Sequence, residues 1–166
     1  LFVINIKYNK LIDEYKNIYN VYPKITIISH SHGGNIALYL ASVAQKWKEK
    51  PIIDRLILLA CPVQRKTMPY IYDDMFKQIY ALYSSLDMIQ MLAPQHPYYK
   101  PFSSKQFPKN EKMIQARIKI NGRALLHTSF SKVRFMALLP SILADLSEIH
   151  DKSKKDEQLA TKEIVI

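Results

Sequence analysis

One seven-residue segment, Ser29–Asn35 with the sequence SHSHGGN, concentrates the residue types that could do chemistry. A serine hydroxyl is a weak nucleophile at neutral pH, and it becomes reactive when a neighbouring base removes its proton. Ser31 stands in the middle of the segment, and two of the three glycines in the chain, Gly33 and Gly34, follow it closely. Ser31 is therefore the candidate nucleophile.

The flanking sequence predicts how Ser31 is held. Residues 24–28 are rich in β-branched side chains and preceded by Pro23, a pattern typical of a buried strand. Residues 36–47 have the apolar spacing and the Ala and Leu content of a helix packed on a sheet. A strand, a tight turn that carries a serine and a helix together form a nucleophile elbow. A plain polar loop is the alternative interpretation.

An elbow also explains the small residues around the serine. Because the strand and the helix pass close to each other, little room remains for side chains two positions from the nucleophile. Gly33 fills the second glycine position of the Gly-x-Ser-x-Gly pattern, Ser29 replaces the first, and Gly34 extends the small segment. The start of a helix carries free backbone N–H groups, so the N–H of His32 is a candidate donor to an oxyanion.

The two histidines of the segment have a second interpretation as metal ligands. His30 and His32 are two positions apart, but a metal site usually needs a third and a fourth ligand at matching spacing. The sequence contains neither a cysteine pair nor a His-Glu-x-x-His helix. We therefore predict neither a metal nor another cofactor.

The segment KITIISHSHGGNIALYLA resembles the nucleophile elbow of the α/β-hydrolase superfamily, in particular its lipase and serine-esterase branches, where His-Ser-x-Gly-Gly turns are frequent. The resemblance implies an α/β fold with a mostly parallel sheet flanked by helices. It also implies a Ser-His-Asp triad whose members follow one another in the order serine, acid, histidine.

An acid of the expected kind follows a later predicted strand. Residues 54–63 and 76–83 are two further apolar segments with the pattern of buried strands. Asp87 comes just after the second of them, at the strand end where open α/β sheets place their functional groups. The sequence Tyr-Ser-Ser-Leu-Asp is similar to the Tyr-Ser-x-x-Asp that carries the acid in several lipase-like hydrolases. A turn-stabilising aspartate is the alternative.

A base of the expected kind follows the last predicted strand. Residues 116–120 form that strand, and Asn121-Gly122 leads from it to His127 in a short loop before the final helix. In this assignment His127 takes the proton from Ser31, and Asp87 orients the imidazole ring. The separations of 56 and 40 residues leave room for strands and helices between loops at one sheet edge.

The other acids and histidines fit these roles less well. Asp54 precedes its predicted strand and so lies at the opposite edge of the sheet. Asp73 and Asp74 fit a solvated pair that caps a helix start. The remaining histidines adjoin the nucleophile, lie in a proline-bounded loop or end the last helix: His30 and His32, His96, and His150.

The resemblance covers about residues 10–150 and corresponds to the C-terminal half of the family fold. The N-terminal strands of the family have no counterpart here, nor does the loop that donates the second oxyanion N–H. We therefore predict a partial α/β-hydrolase domain over residues 1–150, in a chain that is truncated or needs a partner segment. Residues 151–166 are highly charged, and we expect a loose, flexible tail there.

Two segments near the predicted base have a less definite function. The proline- and aromatic-rich connection 93–110 is long enough to be a flap over an acyl pocket, or a layer that covers the sheet. The last helix is predicted over about residues 129–150, with Ser131 or Thr128 as its N-cap.

The composition of the chain indicates which classes of binding partner to expect. The 166 residues carry a net charge of +10, but 19 of the 24 basic residues are lysines spread along the chain. Specific nucleic-acid recognition favours arginine, so we predict no nucleic-acid partner, whereas peripheral contact with an anionic membrane stays open. Cys61 is the single cysteine, and its apolar surroundings predict a buried structural thiol.

These observations leave two principal functions. The first is a serine hydrolase that cleaves a small-molecule or lipid carboxylic ester through an acyl-enzyme. The second is a non-catalytic binding module of the same fold. The single cysteine and the lack of a visible signal or membrane-spanning segment favour a cytoplasmic location, although the chain opens at Leu1 without a methionine.

Overall fold

The computed structural model describes residues 2–91, 106–155 and 162–165. These residues contain four helices and six strands in the order α1 Phe2–Tyr19, β1 Thr26–His30, α2 His32–Ala44, β2 Ile53–Leu59, β3 Phe76–Tyr83, α3 Met88–Met91, β4 Met113–Ile120, β5 Arg123–Ala124, α4 Val133–Lys155 and β6 Lys162–Val165. Two 3-10 helices, Met68–Tyr72 and His127–Ser131, lie in the connections. Parallel strands with helices interspersed between them are typical of an α/β fold.

The strands form one mixed, mostly parallel sheet in the order β1-β2-β3-β4-β5. The first four strands are parallel, and β5 returns antiparallel to β4 through Asn121 and Gly122, whose φ angles are 51° and 71°. A two-residue turn with both φ angles positive suits a tight hairpin, and Asn-Gly is its preferred sequence. The short strand β6 runs parallel to β4.

Each face of the sheet packs against a helix, and the alternation of side chains along β2 explains both contacts. Leu56 and Leu58 point into one core, which α2 completes with Ala37, Leu38 and Ala41. Ile57 and Leu59 point into the other core, which α4 completes with its apolar side chains Phe135, Leu139, Ile142 and Leu146. Successive strand residues face opposite sides, so a strand buried on both faces is apolar throughout.

The expected α/β fold with a mostly parallel sheet is confirmed. The predicted strand over 76–83 has the observed limits, whereas β1 lies two residues later than predicted and includes His30. The helix after the elbow begins at His32 rather than Ile36, because the turn consists of Ser31 alone. The first strand and helix therefore meet more tightly than the apolar pattern indicates.

The last helix has other limits than those predicted. The last helix begins at Val133, and neither Ser131 nor Thr128 caps it, because both belong to the preceding 3-10 helix. The helix continues to Lys155, and β6 lies beside β4 within the segment expected to be a loose tail. Of the connection 93–110, residues 93–105 lie outside the described residues, and Phe107 is buried in the core that contains α2.

Candidate active site

Ser31 occupies the sharp turn between β1 and α2. Its backbone angles, φ 56° and ψ −133°, are in a region that residues other than glycine rarely adopt. Two hydrogen bonds hold this conformation: the Ser31 N–H donates to the carbonyl of Leu59 at 2.9 Å, and its carbonyl accepts from the Gly34 N–H at 3.0 Å. The turn projects the serine beyond the carboxyl end of β1, as an elbow does.

The structure brings the three predicted triad residues into contact. The Nδ1 atom of His127 lies 2.8 Å from Oδ2 of Asp87, and its Nε2 atom lies 2.8 Å from Oγ of Ser31. A carboxylate only accepts hydrogen bonds, so Nδ1 carries the proton of a neutral ring. Nε2 is then the unprotonated nitrogen and accepts the hydrogen bond from the serine hydroxyl. This tautomer is the one that a general base needs.

Asp87 is the most enclosed member of this set. It follows β3 by four residues and has no solvent exposure, whereas the His127 side chain is 10% exposed. Its backbone N–H donates to the carbonyl of Ser84, another fully buried residue, at 3.3 Å. A buried carboxylate is costly unless it is paired, and the ring of His127 provides a partner.

His32 places its backbone where an oxyanion donor is required. It is the first residue of α2 and directly follows the serine. Within the described ranges, no protein acceptor is hydrogen-bonded to its N–H. A free N–H at a helix start, next to a nucleophile, is suited to stabilising developing negative charge.

Gly33 and Gly34, both predicted to shape the elbow, differ in the space around them. A Cβ atom added to Gly33 would lie 4.0 Å from Cβ of Ser29, an ordinary van der Waals contact, so a methyl group fits at this position. The close approach occurs at Gly34 instead, where an added Cβ would lie 2.5 Å from Sγ of Cys61. The start of α2 therefore lies close to the segment after β2 at Gly34 and close to its own preceding strand at Gly33.

Cys61 is a buried thiol, and burial raises its pKa to about 12. A thiol with so high a pKa carries almost no thiolate at neutral pH and is a poor nucleophile. Its contact with Gly34 gives it a packing role at the start of α2.

The polar contacts of Asn35 at the start of α2 were not predicted from the sequence. The Asn35 side chain is buried, donates to the carbonyl of Pro62 at 2.9 Å and accepts a hydrogen bond from the Thr67 hydroxyl. These bonds tie the helix that follows the nucleophile to the segment after β2. The available signal was a polar residue at the start of an otherwise apolar helix, where burial requires partners.

The competing acids lie elsewhere. Asp54 is near the amino end of β2, where its carboxylate accepts from the Ile25 N–H at 2.9 Å and from Lys77 at 2.8 Å. The hydrogen bond from Lys77 is the main reason that the pKa of Asp54 is lowered. Asp73 and Asp74 follow a 3-10 helix rather than start one, and they pair with Lys50 and Lys112.

Within the described part of the chain, none of the competing histidines is hydrogen-bonded to the Ser31 hydroxyl. His30 is directed at the carbonyl of His127, at 2.9 Å from Nε2, and His32 is exposed. His150 lies near the end of α4, and His96 lies outside the described residues. Residues 2–91, 106–155 and 162–165 contain no cluster of three or more potential metal ligands of the His, Cys, Asp and Glu types.

Comparison with known proteins adds no assignment. No family model matches the chain, and no curated protein or solved structure is significantly similar to it. Among the described helices, none combines the length and apolar character needed to cross a membrane. The fold and the geometry around Ser31 are therefore the observations from which a function can be argued.

Proposed function

We propose that this protein is a serine hydrolase that cleaves a carboxylic ester through a covalent acyl-enzyme. The proposal is supported above all by one observation, the continuous hydrogen-bonded series from Asp87 through His127 to Ser31, with both distances 2.8 Å. A serine at a strained strand-to-helix turn with a correctly oriented histidine is the arrangement that activates a hydroxyl.

In the first half of the reaction, the Ser31 oxygen attacks the ester carbonyl carbon while Nε2 of His127 takes the hydroxyl proton. The carbonyl π electrons move to oxygen, and the N–H of His32 donates a hydrogen bond to the resulting oxyanion. When the intermediate collapses, the carbon–oxygen bond to the alcohol breaks, and His127 returns the proton to the departing alkoxide. Asp87 stabilises the imidazolium that exists between these steps.

In the second half, water replaces the alcohol. His127 removes a proton from water as the water oxygen attacks the acyl carbon, and the same histidine then protonates Ser31 as the acyl–serine bond breaks. The products are a carboxylic acid and the regenerated hydroxyl. The substrate class that this chemistry fits is a small-molecule or lipid ester, and it requires neither a metal nor an organic cofactor.

A fluorophosphonate probe tests the proposal, because it forms a covalent bond with an activated serine. We expect the wild-type protein to gain one phosphonyl group, located on the peptide that contains Ser31 by mass spectrometry. Ser31→Ala should abolish the labelling. Ser42→Ala, a matched change further along α2, should leave it unchanged.

The contrary result is equally well defined. If the wild-type protein has the circular dichroism of an α/β fold and a cooperative thermal transition but does not react, the serine is not activated. Such a result would favour the non-catalytic binding module.

A further inference from the structure

His30 makes a contact that the proposed reaction does not use. It is the last residue of β1, and its Nε2 lies 2.9 Å from the main-chain oxygen of His127, which is 97 positions later in the chain. The two imidazole rings lie 4.9 Å apart, centroid to centroid, at 47°. A carbonyl oxygen only accepts hydrogen bonds, so Nε2 of His30 carries a proton and donates it.

We propose that His30 is a positioning residue for the base, an inference that rests on the proposed function. The ring of His127 is held at both nitrogens, by Asp87 and by Ser31. The hydrogen bond from His30 holds His127 at a third atom, its main-chain oxygen. It joins the segment that carries the base directly to the strand that ends at the nucleophile.

The need for such a bond follows from where His127 lies. His127 is the first residue of a 3-10 helix that follows the two-residue strand β5, and Leu126 before it is 62% exposed. A residue reached through an exposed connection can shift relative to a nucleophile on another strand. Errors of about 1 Å in such geometry can cost on the order of 100-fold in rate. A hydrogen bond from His30, the residue next to Ser31, limits the movement of His127 relative to the nucleophile.

His30 does not occupy the position of the general base, because the nitrogen hydrogen-bonded to the Ser31 hydroxyl belongs to His127. Its Nε2–H donates to a carbonyl oxygen, and no hydrogen bond joins the His30 ring to the Ser31 hydroxyl in the described residues. The effect of His30 is therefore exerted through His127.

Two amide substitutions separate a hydrogen-bonding role from a merely structural one. The amide nitrogen of glutamine reaches about as far from the backbone as Nε2 of histidine, whereas that of asparagine is one bond shorter. We expect His30→Gln to keep kcat for a p-nitrophenyl ester close to that of the wild type. We expect His30→Asn to lower kcat by about 10- to 100-fold, with KM nearly unchanged because the ester itself is not contacted.

A spectroscopic measurement makes the test independent of catalysis. The proton on Nδ1 of His127, hydrogen-bonded to Asp87, should give a low-field resonance that is absent in His127→Gln. We expect this resonance to persist in His30→Gln and to broaden through faster solvent exchange in His30→Asn. If the wild-type protein neither hydrolyses esters nor reacts with the probe, the proposed function fails, and the resonance alone still decides the role of His30.

The inference is overturned if the two variants behave alike. Equal retention of the rate and the resonance would show that the bond to the His127 carbonyl is dispensable. Equal loss in both would show that a donor at the Nε2 position does not restore the function of the imidazole.

Discussion

Ser31 and Asp87 both follow the carboxyl ends of parallel strands, yet the two strands have different surroundings. β1 pairs with β2 alone in the described residues, and Ile28 in its middle is 46% exposed. β3 has a neighbour on each side, and residues 79–83 are buried without interruption. The acid of the proposed triad is thus fixed by the interior of the sheet, whereas the nucleophile is held from one side.

The one-sided support explains why contacts concentrate around the elbow. A strained residue persists only where its surroundings determine its conformation, and that strain costs about 1–3 kcal/mol. Apart from the hydrogen bond from Gly34 within the elbow itself, the supports of Ser31 come from the β2 side: the Leu59 carbonyl accepts its N–H, and Cys61 packs against Gly34. β1 therefore leads to the proposed nucleophile, Ser31, although it is less enclosed by neighbouring strands than β3 is.

The largest expected effect concerns Asp87, the buried acid of the proposed triad. In Asp87→Asn, the amide can donate a hydrogen bond to Nδ1, which favours the tautomer that presents an N–H to Ser31. We expect kcat to fall by roughly 10³- to 10⁴-fold while the fold is retained. Ester hydrolysis at neutral pH measures it, and Asp74→Asn, at a side chain that is 96% exposed, is the matched control. A fall of less than about tenfold would contradict the assignment of Asp87.

The strands and the three residues that meet at one sheet edge could be predicted from the sequence because both leave local signals. Buried parallel strands are continuous apolar runs, and β3 is recognisable at its observed limits. Ser31, Asp87 and His127 each follow such a run or precede a helix, so strand order places them at one edge. Their contact in the structure is a consequence of that order together with the turn geometry.

Contacts between distant segments leave no comparable signal. The sequence contains two adjacent glycines, but only the fold shows that Gly34 rather than Gly33 faces Cys61. The hydrogen bond from His30 to His127 spans 97 positions and depends on β1 extending to His30. Predicting such contacts requires knowledge of how strands and loops lie relative to one another, and the periodicity of apolar residues in the sequence does not give that information.

A smaller effect, on the free energy of unfolding, is expected when paired residues of β1 and β2 are truncated. Ile28 and Ile57 are partners in the register and face the same helix, yet Ile57 is 1% exposed and Ile28 is 46% exposed. We expect Ile57→Ala to lower the free energy of unfolding by about 2–5 kcal/mol and Ile28→Ala by about 1 kcal/mol or less. Urea denaturation with a constant m-value measures both changes. Equal costs would show that the outer edge of β1 is covered in solution, and the contrast between the two strands would then disappear.

The smallest effect distinguishes the two glycines that follow the nucleophile. Gly34→Ala places a methyl group 2.5 Å from Sγ of Cys61 and 3.1 Å from Cδ2 of Leu58, so side chains must move. We expect a loss of about 1–3 kcal/mol in the free energy of unfolding. Gly33→Ala meets only Cβ of Ser29 at 4.0 Å, and alanine in a helix should leave stability unchanged or raise it by up to about 1 kcal/mol.

A double-mutant cycle tests the cause of this difference. Cys61→Ala removes the atom closest to the new methyl group, so Gly34→Ala should cost less in the Cys61→Ala background than in the wild type. Gly33→Ala should have the same effect in both backgrounds, because Gly33 does not approach Cys61 within 4 Å. If Gly34→Ala is equally costly with and without the thiol, then the Cβ atom of residue 61, which lies 2.8 Å from the added methyl group and remains in Cys61→Ala, limits the space beside α2 rather than the sulfur.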